Sequence, residues 1–331
     1  MRALRFFAAS LALSALACDA PPADPDDAGT PPPPGDAAPP GHDAGPPPDL
    51  EGPVDRARVF LIGHSLINHH MPAMLHALAQ AAGLDYDFQT QIINGAPLRW
   101  NWDHSASGEG RHARPGDARA ELPSGRFDVV VMTEGIPLDA DTVRAGGNFY
   151  QLAVQSNPST RTFLFETWHA HEWDELYAVY NMYEPDPALH LPGRGAYEWR
   201  AVLDDMRPAW IARVDGINAA HPGHVPMHVV PGGPAMGRLV DEIEAGRVPG
   251  LGSRRDLFSD EIHLNDLGNY FVALVHFSAI FRRSPEGLTP DLRDEWGGRY
   301  ARPTEAQEAI FQRVAWEHVS RDPRAGVRRA D

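Results

Sequence analysis

The residues best suited to move a proton and form an acyl bond stand at two distant places in this chain. Ser65 closes the run Phe60-Leu61-Ile62-Gly63-His64-Ser65, directly after the apolar stretch Arg58–Ile62. Near the other end, Asp260-Glu261-Ile262-His263 places a carboxylate three residues before an imidazole. At that spacing, in a turn, Asp260 can accept from one ring nitrogen of His263, and the other nitrogen is then placed to take a serine proton. A serine following a strand also has a plainer use, as the cap of the next helix. The pairing of the two segments is what points to nucleophilic chemistry.

Elements must bring the two together. Arg58–Ile62, stopped by Gly63, has the unbroken apolarity of a strand buried on both faces. Further strands are expected at Tyr86–Ile93, Phe127–Met132, Arg161–Glu166 and Met227–Val230. Helical spacing marks Met71–Ala82, Asp141–Gln155, Glu198–Ala219, Pro234–Ala245, Asp266–Phe281 and Thr304–Ser320. Strands alternating with helices predict a mainly parallel sheet covered on both faces. In such sheets, working residues gather beyond the carboxyl ends of the strands. The segments to inspect are therefore 63–68, 94–98, 133–135, 167–171 and 231–233.

These blocks resemble the SGNH (GDSL-type) hydrolases. Phe60–Leu66 looks like their first block, with His64 where the family motif has aspartate; Asp260 and His263 match the last block. Ile93-Asn94-Gly95-Ala96-Pro97-Leu98 resembles the second block, whose glycine donates a backbone N–H to the oxyanion. The resemblance implies a three-layer α/β/α sandwich with a flavodoxin-like sheet. It also implies a Ser65–His263–Asp260 triad and an oxyanion hole built on the N–H groups of Ser65 and Gly95. One block departs: the family often shows Gly-x-Asn-Asp, whereas this chain reads Val131-Met132-Thr133-Glu134-Gly135. An ionised Glu134 can only accept, so it cannot stand in for that asparagine as a donor. Thr133, Asn94 and Asn68 are the candidates for the third donor.

Glu166-Thr167-Trp168-His169-Ala170-His171 follows another expected strand. With His64 and Glu134, Trp168 and His169 are candidate pocket residues. The His169-x-His171 pair also has the form of paired metal ligands, with only scattered histidines to complete a zinc site. The aromatics Trp173, Tyr177, Tyr180 and Tyr183 recur at helical spacing and suit a core or, as the alternative, a sugar platform. Arg99, Trp100 and Trp102 are candidates for the border of a substrate cleft.

The remaining sequence bounds the function. Residues 1–18 read as a signal peptide: Arg2 and Arg5, an apolar stretch too short to span a bilayer, then Ser14-Ala15-Leu16-Ala17-Cys18. The last five residues resemble a bacterial lipobox, although Ala15 stands where leucine is usual, so Cys18 is the expected lipidation site. Cys18 is the chain's one cysteine; its use as an anchor excludes a cysteine nucleophile. Residues 19–54 hold 13 of the 32 prolines and eight acidic residues with no basic one, the composition of a disordered tether. Residues 55–331 then form one α/β domain carrying −10 of the net −16, without a lysine, which argues against nucleic-acid binding.

The expected function is an exported serine esterase needing no cofactor or metal, held at the cell envelope through Cys18 or otherwise secreted. Its substrate would be a small-molecule or polysaccharide ester, and a lipid would be its only link to a membrane. The competing readings are an O-acyltransferase with the same triad, a metal-dependent hydrolase on His169 and His171, and a non-catalytic surface binding protein.

Overall fold

The computed structural model describes residues 52–104, 114–135, 138, 141–171 and 199–327. The expected signal peptide, Cys18, almost all of the tether and the aromatic cluster at 173–183 lie outside the described residues.

Five parallel strands form one sheet: β1 (Arg56–Gly63), β2 (Asp85–Ile92), β3 (Val129–Met132), β4 (Arg161–Phe165) and β5 (His228–Val230). Their order is β2-β1-β3-β4-β5, the flavodoxin-like arrangement. The described helices are α1 (His70–Ala81), α2 (Leu98–Asp103), α3 (Ala118–Glu121), α4 (Thr142–Ser156) and α5 (Trp199–Ala220). They continue with α6 (Gly232–Glu244), α7 (Asp266–Phe281) and α8 (Glu305–Arg321).

The layering follows from the two-residue period of a strand. Val59 and Leu61 of β1, Val129 and Val131 of β3, and Phe163 and Phe165 of β4 face one core with α1, α6, α7 and α8. Their neighbours Phe60, Ile62, Val130, Met132 and Leu164 face the other, with α4 and most of α5. Both faces are apolar because both are covered, which is why β1 reads as an unbroken apolar run.

Element bounds differ from the expected ones by a residue or two, and α7 coincides. The short helices α2 and α3 were not foreseen, since neither is long enough to show a period. Two placements are corrected. Val54, assigned to the tether, donates its N–H to the carbonyl of Phe281 at 3.1 Å and packs against the core. Trp102, proposed for a cleft, packs its ring edge-on to Phe149 at 5.0 Å and sits against the second core. Trp100, on the same helix, stays exposed.

Gly63 lets β1 end close against β3. A Cβ there would lie 2.5 Å from Cγ2 of Thr133 and 2.9 Å from Cδ1 of Ile67. Gly63→Ala should therefore lower stability by about 1–3 kcal/mol, the usual cost of overpacking, as read in a denaturant titration.

Candidate active site

The reversal of strand order falls between β1 and β3, and the segments leaving β1, β2 and β3 meet there. The turn after β1 carries Ser65, which is neither fully buried nor open. Ile67 closes the turn by donating to the carbonyl of His64 at 3.0 Å. Helix α1 starts only at His70, and its cap is not Ser65. Asn68, held at φ +41°, accepts from the N–H groups of His70 (2.6 Å) and Met71 (3.2 Å). Asparagine tolerates that left-handed conformation better than most residues. The capping role is thus taken, and the Ser65 hydroxyl is left to another partner.

That partner is His263. Its Nε2 lies 2.9 Å from Oγ of Ser65, across 198 residues of sequence. Its Nδ1 lies 2.8 Å from Oδ2 of Asp260. The other carboxylate oxygen accepts from the backbone N–H groups of Ile262 (2.9 Å) and His263 (2.7 Å). Burial by itself would raise the Asp260 pKa. The N–H groups of His263 and Ile262 and the His263 ring outweigh it and hold the carboxyl below its ordinary value. A carboxylate can only accept, so Nδ1 carries the hydrogen; Nε2 then faces the serine as an acceptor. The relay expected from two separated motifs is assembled, at hydrogen-bonding distances throughout.

The two halves are also tied at their bases. Asn265 caps α7 by accepting from Leu267 and Gly268, so the helix begins just after His263. Nδ2 of Asn68 donates to Oδ1 of Asn269 at 3.1 Å, joining the serine turn to the first turn of α7.

Gly95 follows β2 at φ +71°, a conformation suited to glycine. Among the described residues, the N–H groups of Ser65 and Gly95 make no hydrogen bond. The three side chains considered as a third donor differ in what holds them. Thr133 is fully buried and donates to the carbonyl of Phe165 at 2.8 Å. Nδ2 of Asn68 gives one of its two hydrogens to Asn269, which holds the amide at the base of the turn. Asn94 is exposed beside Gly95, with no side-chain hydrogen bond among the described residues.

Glu134 turns out to be an organiser. It is 0 % exposed. One carboxylate oxygen accepts from the N–H groups of Leu98 (3.0 Å) and Gly135 (2.7 Å), and the other from the Thr142 hydroxyl (2.8 Å). It thereby anchors the far end of the Gly95 loop to the end of β3. Its carbonyl accepts from Nε2 of His64 at 2.9 Å, which fixes that tautomer. Nδ1 of His64 is then the acceptor facing the Leu66 N–H at 3.4 Å. Burial lowers the His64 pKa, the Glu134 carbonyl opposes the shift, and His263 adds to it. A neutral His64 thus bridges the serine turn to β3.

Trp168 and His169 are likewise buried, and burial pushes the His169 pKa down to about 4. All four expected pocket residues (His64, Glu134, Trp168, His169) therefore lie beneath the rim and do not open onto a cleft. The reason is position: each sits within a few residues of a central strand end, where covering loops exclude water. For the metal reading, no group of three or more His, Cys, Asp or Glu suited to a metal occurs among the described residues. One ring nitrogen of His171 is engaged with the Asp260 carbonyl at 3.1 Å.

No protein-family model matches the sequence, and no curated protein matches it. Solved structures do. A DUF4886 family protein from Bacteroides uniformis superposes with a TM-score of 0.55 at 15% identity, over 81% of this chain and 96% of that one. The likeness is one of fold. A protein from Slackia heliotrinireducens, whose description proposes an SGNH hydrolase, gives a TM-score of 0.42 at 16% identity, over 67% and 98% of the two chains. A Clostridium thermocellum family 3 carbohydrate esterase gives 0.38 at 15%, over 69% and 98%.

Proposed function

We propose that this chain is a serine-dependent ester hydrolase of the SGNH type, acting through an acyl-enzyme. The observation that carries the reading is the continuous relay from Oγ of Ser65 through His263 to Asp260, at 2.9 and 2.8 Å. Oγ attacks the ester carbonyl carbon while Nε2 of His263 takes its proton. Asp260 holds the ring and stabilises the imidazolium. The tetrahedral intermediate collapses by breaking the ester C–O bond, and His263 returns the proton to the departing alcohol oxygen. Water, deprotonated by the same nitrogen, then releases the acid and restores Ser65.

The N–H groups of Ser65 and Gly95 supply two oxyanion donors, and Asn94 the third. Support for Asn94 comes from its exposure beside Gly95 and from its rivals: the one hydroxyl hydrogen of Thr133 goes to Phe165, and the Asn68 amide is tied to Asn269. An oxyanion donor acts on the transition state more than on bound substrate. Asn94→Ala should accordingly cut kcat by about a hundredfold and leave KM nearly unchanged. Steady-state kinetics that show full activity in this variant would remove Asn94 from the hole.

The direct test is labelling by a fluorophosphonate probe together with turnover of 4-nitrophenyl acetate. Wild type should label and turn over; Ser65→Ala should do neither, and a chelator should change nothing. Activity that survives Ser65→Ala would overturn the proposal. An O-acetylated glycan is the proposed natural substrate class, suited to an enzyme held at the cell envelope by a lipid on Cys18. Comparing acetylated glycans with simple acetyl esters tests that refinement, and metabolic labelling with a fatty-acid analogue tests the anchor.

A further inference from the structure

Three consecutive carbonyls of the Asp260–His263 loop are all taken by one segment, the stretch that follows β4. Nε2 of His171 meets the carbonyl of Asp260 at 3.1 Å. The backbone N–H of His171 donates to Glu261 at 2.8 Å. Nε1 of Trp168 donates to Ile262 at 2.7 Å. A carbonyl only accepts, so His171 carries its hydrogen on Nε2 in this contact. On its other side the loop is closed by Asp260 itself, which accepts from the N–H groups of Ile262 and His263, while Ser259 donates its N–H to the carbonyl of His263 at 2.8 Å.

The segment that grips the loop is itself immobilised. Trp168 is 1 % exposed, with its ring against Phe165. Nε1 of Trp199 donates to the carbonyl of His169 at 3.1 Å, and Nε of Arg254 to that of His171 at 3.0 Å. The start of α6 presses on it from below. The Gly233 N–H donates to Glu166 at 2.8 Å, and a Cβ on Gly233 would sit 2.3 Å from the carbonyl oxygen of Thr167. The His171 ring packs on Phe258, whose own strand-like bridge to Leu264 encloses the loop.

Asp260 is exposed and His263 only half-buried, so packing around those two side chains does little to fix them. Their alignment on Ser65 must be set through the backbone. We infer that Trp168 and His171 are positioning residues, a clamp that fixes the Asp260–His263 loop so that Nε2 of His263 stays on the Ser65 hydroxyl. The inference rests on the reading of Ser65 as the nucleophile. It assigns to Trp168 a role other than pocket wall, and to His171 one other than metal ligand.

The test uses the full chain with Trp168→Phe, His171→Leu and His171→Gln. Phenylalanine keeps the ring and loses the N–H; glutamine keeps a donor near the position of Nε2, and leucine does not. A sub-ångström loosening of a catalytic group should lower kcat for 4-nitrophenyl acetate by about tenfold in Trp168→Phe and His171→Leu, with KM altered less than about twofold. His171→Gln should recover most of the loss. A second readout needs no turnover: the low-field proton resonance of the His263–Asp260 hydrogen bond should be present in wild type and broadened or lost in Trp168→Phe and His171→Leu. If the wild type hydrolyses no ester, the esterase reading fails while the resonance still reports on the clamp. An unchanged resonance in both variants, or unchanged kcat in both, would overturn the clamp.

Discussion

Ser65→Ala and His263→Ala are each expected to lose on the order of a millionfold in kcat, leaving only what binding and the oxyanion donors supply. The size follows from the geometry. Without the hydroxyl there is no atom to attack; without the imidazole the hydroxyl loses the ring nitrogen that stands 2.9 Å away to take its proton. Asp260→Asn should cost about a factor of 10⁴, because an amide opposite Nδ1 favours the wrong tautomer and leaves Nε2 protonated toward the serine. The double variant Ser65→Ala/His263→Ala should be scarcely slower than either single one, since the two act as a unit. Multiplicative losses in that double variant, measured as kcat on 4-nitrophenyl acetate, would mean that the two residues serve separate steps.

The contact of Ser65, His263 and Asp260 was legible because each half is local. Asp260 and His263 share one turn, and Ser65 sits directly past an apolar strand, so the rule about carboxyl ends of strands could join them without knowing the fold. The same rule located the loop at Gly95. What could not be read is the use of side chains whose partners are remote and unpatterned. That Asn68 ties its amide to Asn269, 201 residues away, is signalled by no spacing. Nor is it signalled that Thr133 gives its hydroxyl hydrogen to a carbonyl on the neighbouring strand. Trp168, His169, His64 and Glu134 all follow strands, and sequence position gives no measure of depth. The rule therefore finds the neighbourhood of a site, while the side chains in it divide between rim and foundation according to how the loops close over them.

Glu134 is where that division should have its largest consequence outside Ser65, His263 and Asp260. Glu134→Ala should lower kcat by roughly a thousandfold, because the loop carrying Asn94 and Gly95 loses its anchor at Leu98 and two donors move together. Stability should fall as well. The N–H groups of Leu98 and Gly135 and the hydroxyl of Thr142 would be left facing a cavity, and an unsatisfied buried donor costs about 1–3 kcal/mol. Glu134→Gln separates acceptor from charge. Its amide oxygen can still accept from Leu98 and Gly135, and the Thr142 hydroxyl can turn to accept from the new amide, so most activity and stability should return. Thermal unfolding and kcat, read on the two variants side by side, decide the matter. If alanine proves as stable and active as glutamine, the Gly95 loop holds itself. If both substitutions are equally damaging, the negative charge of Glu134 is what the site requires.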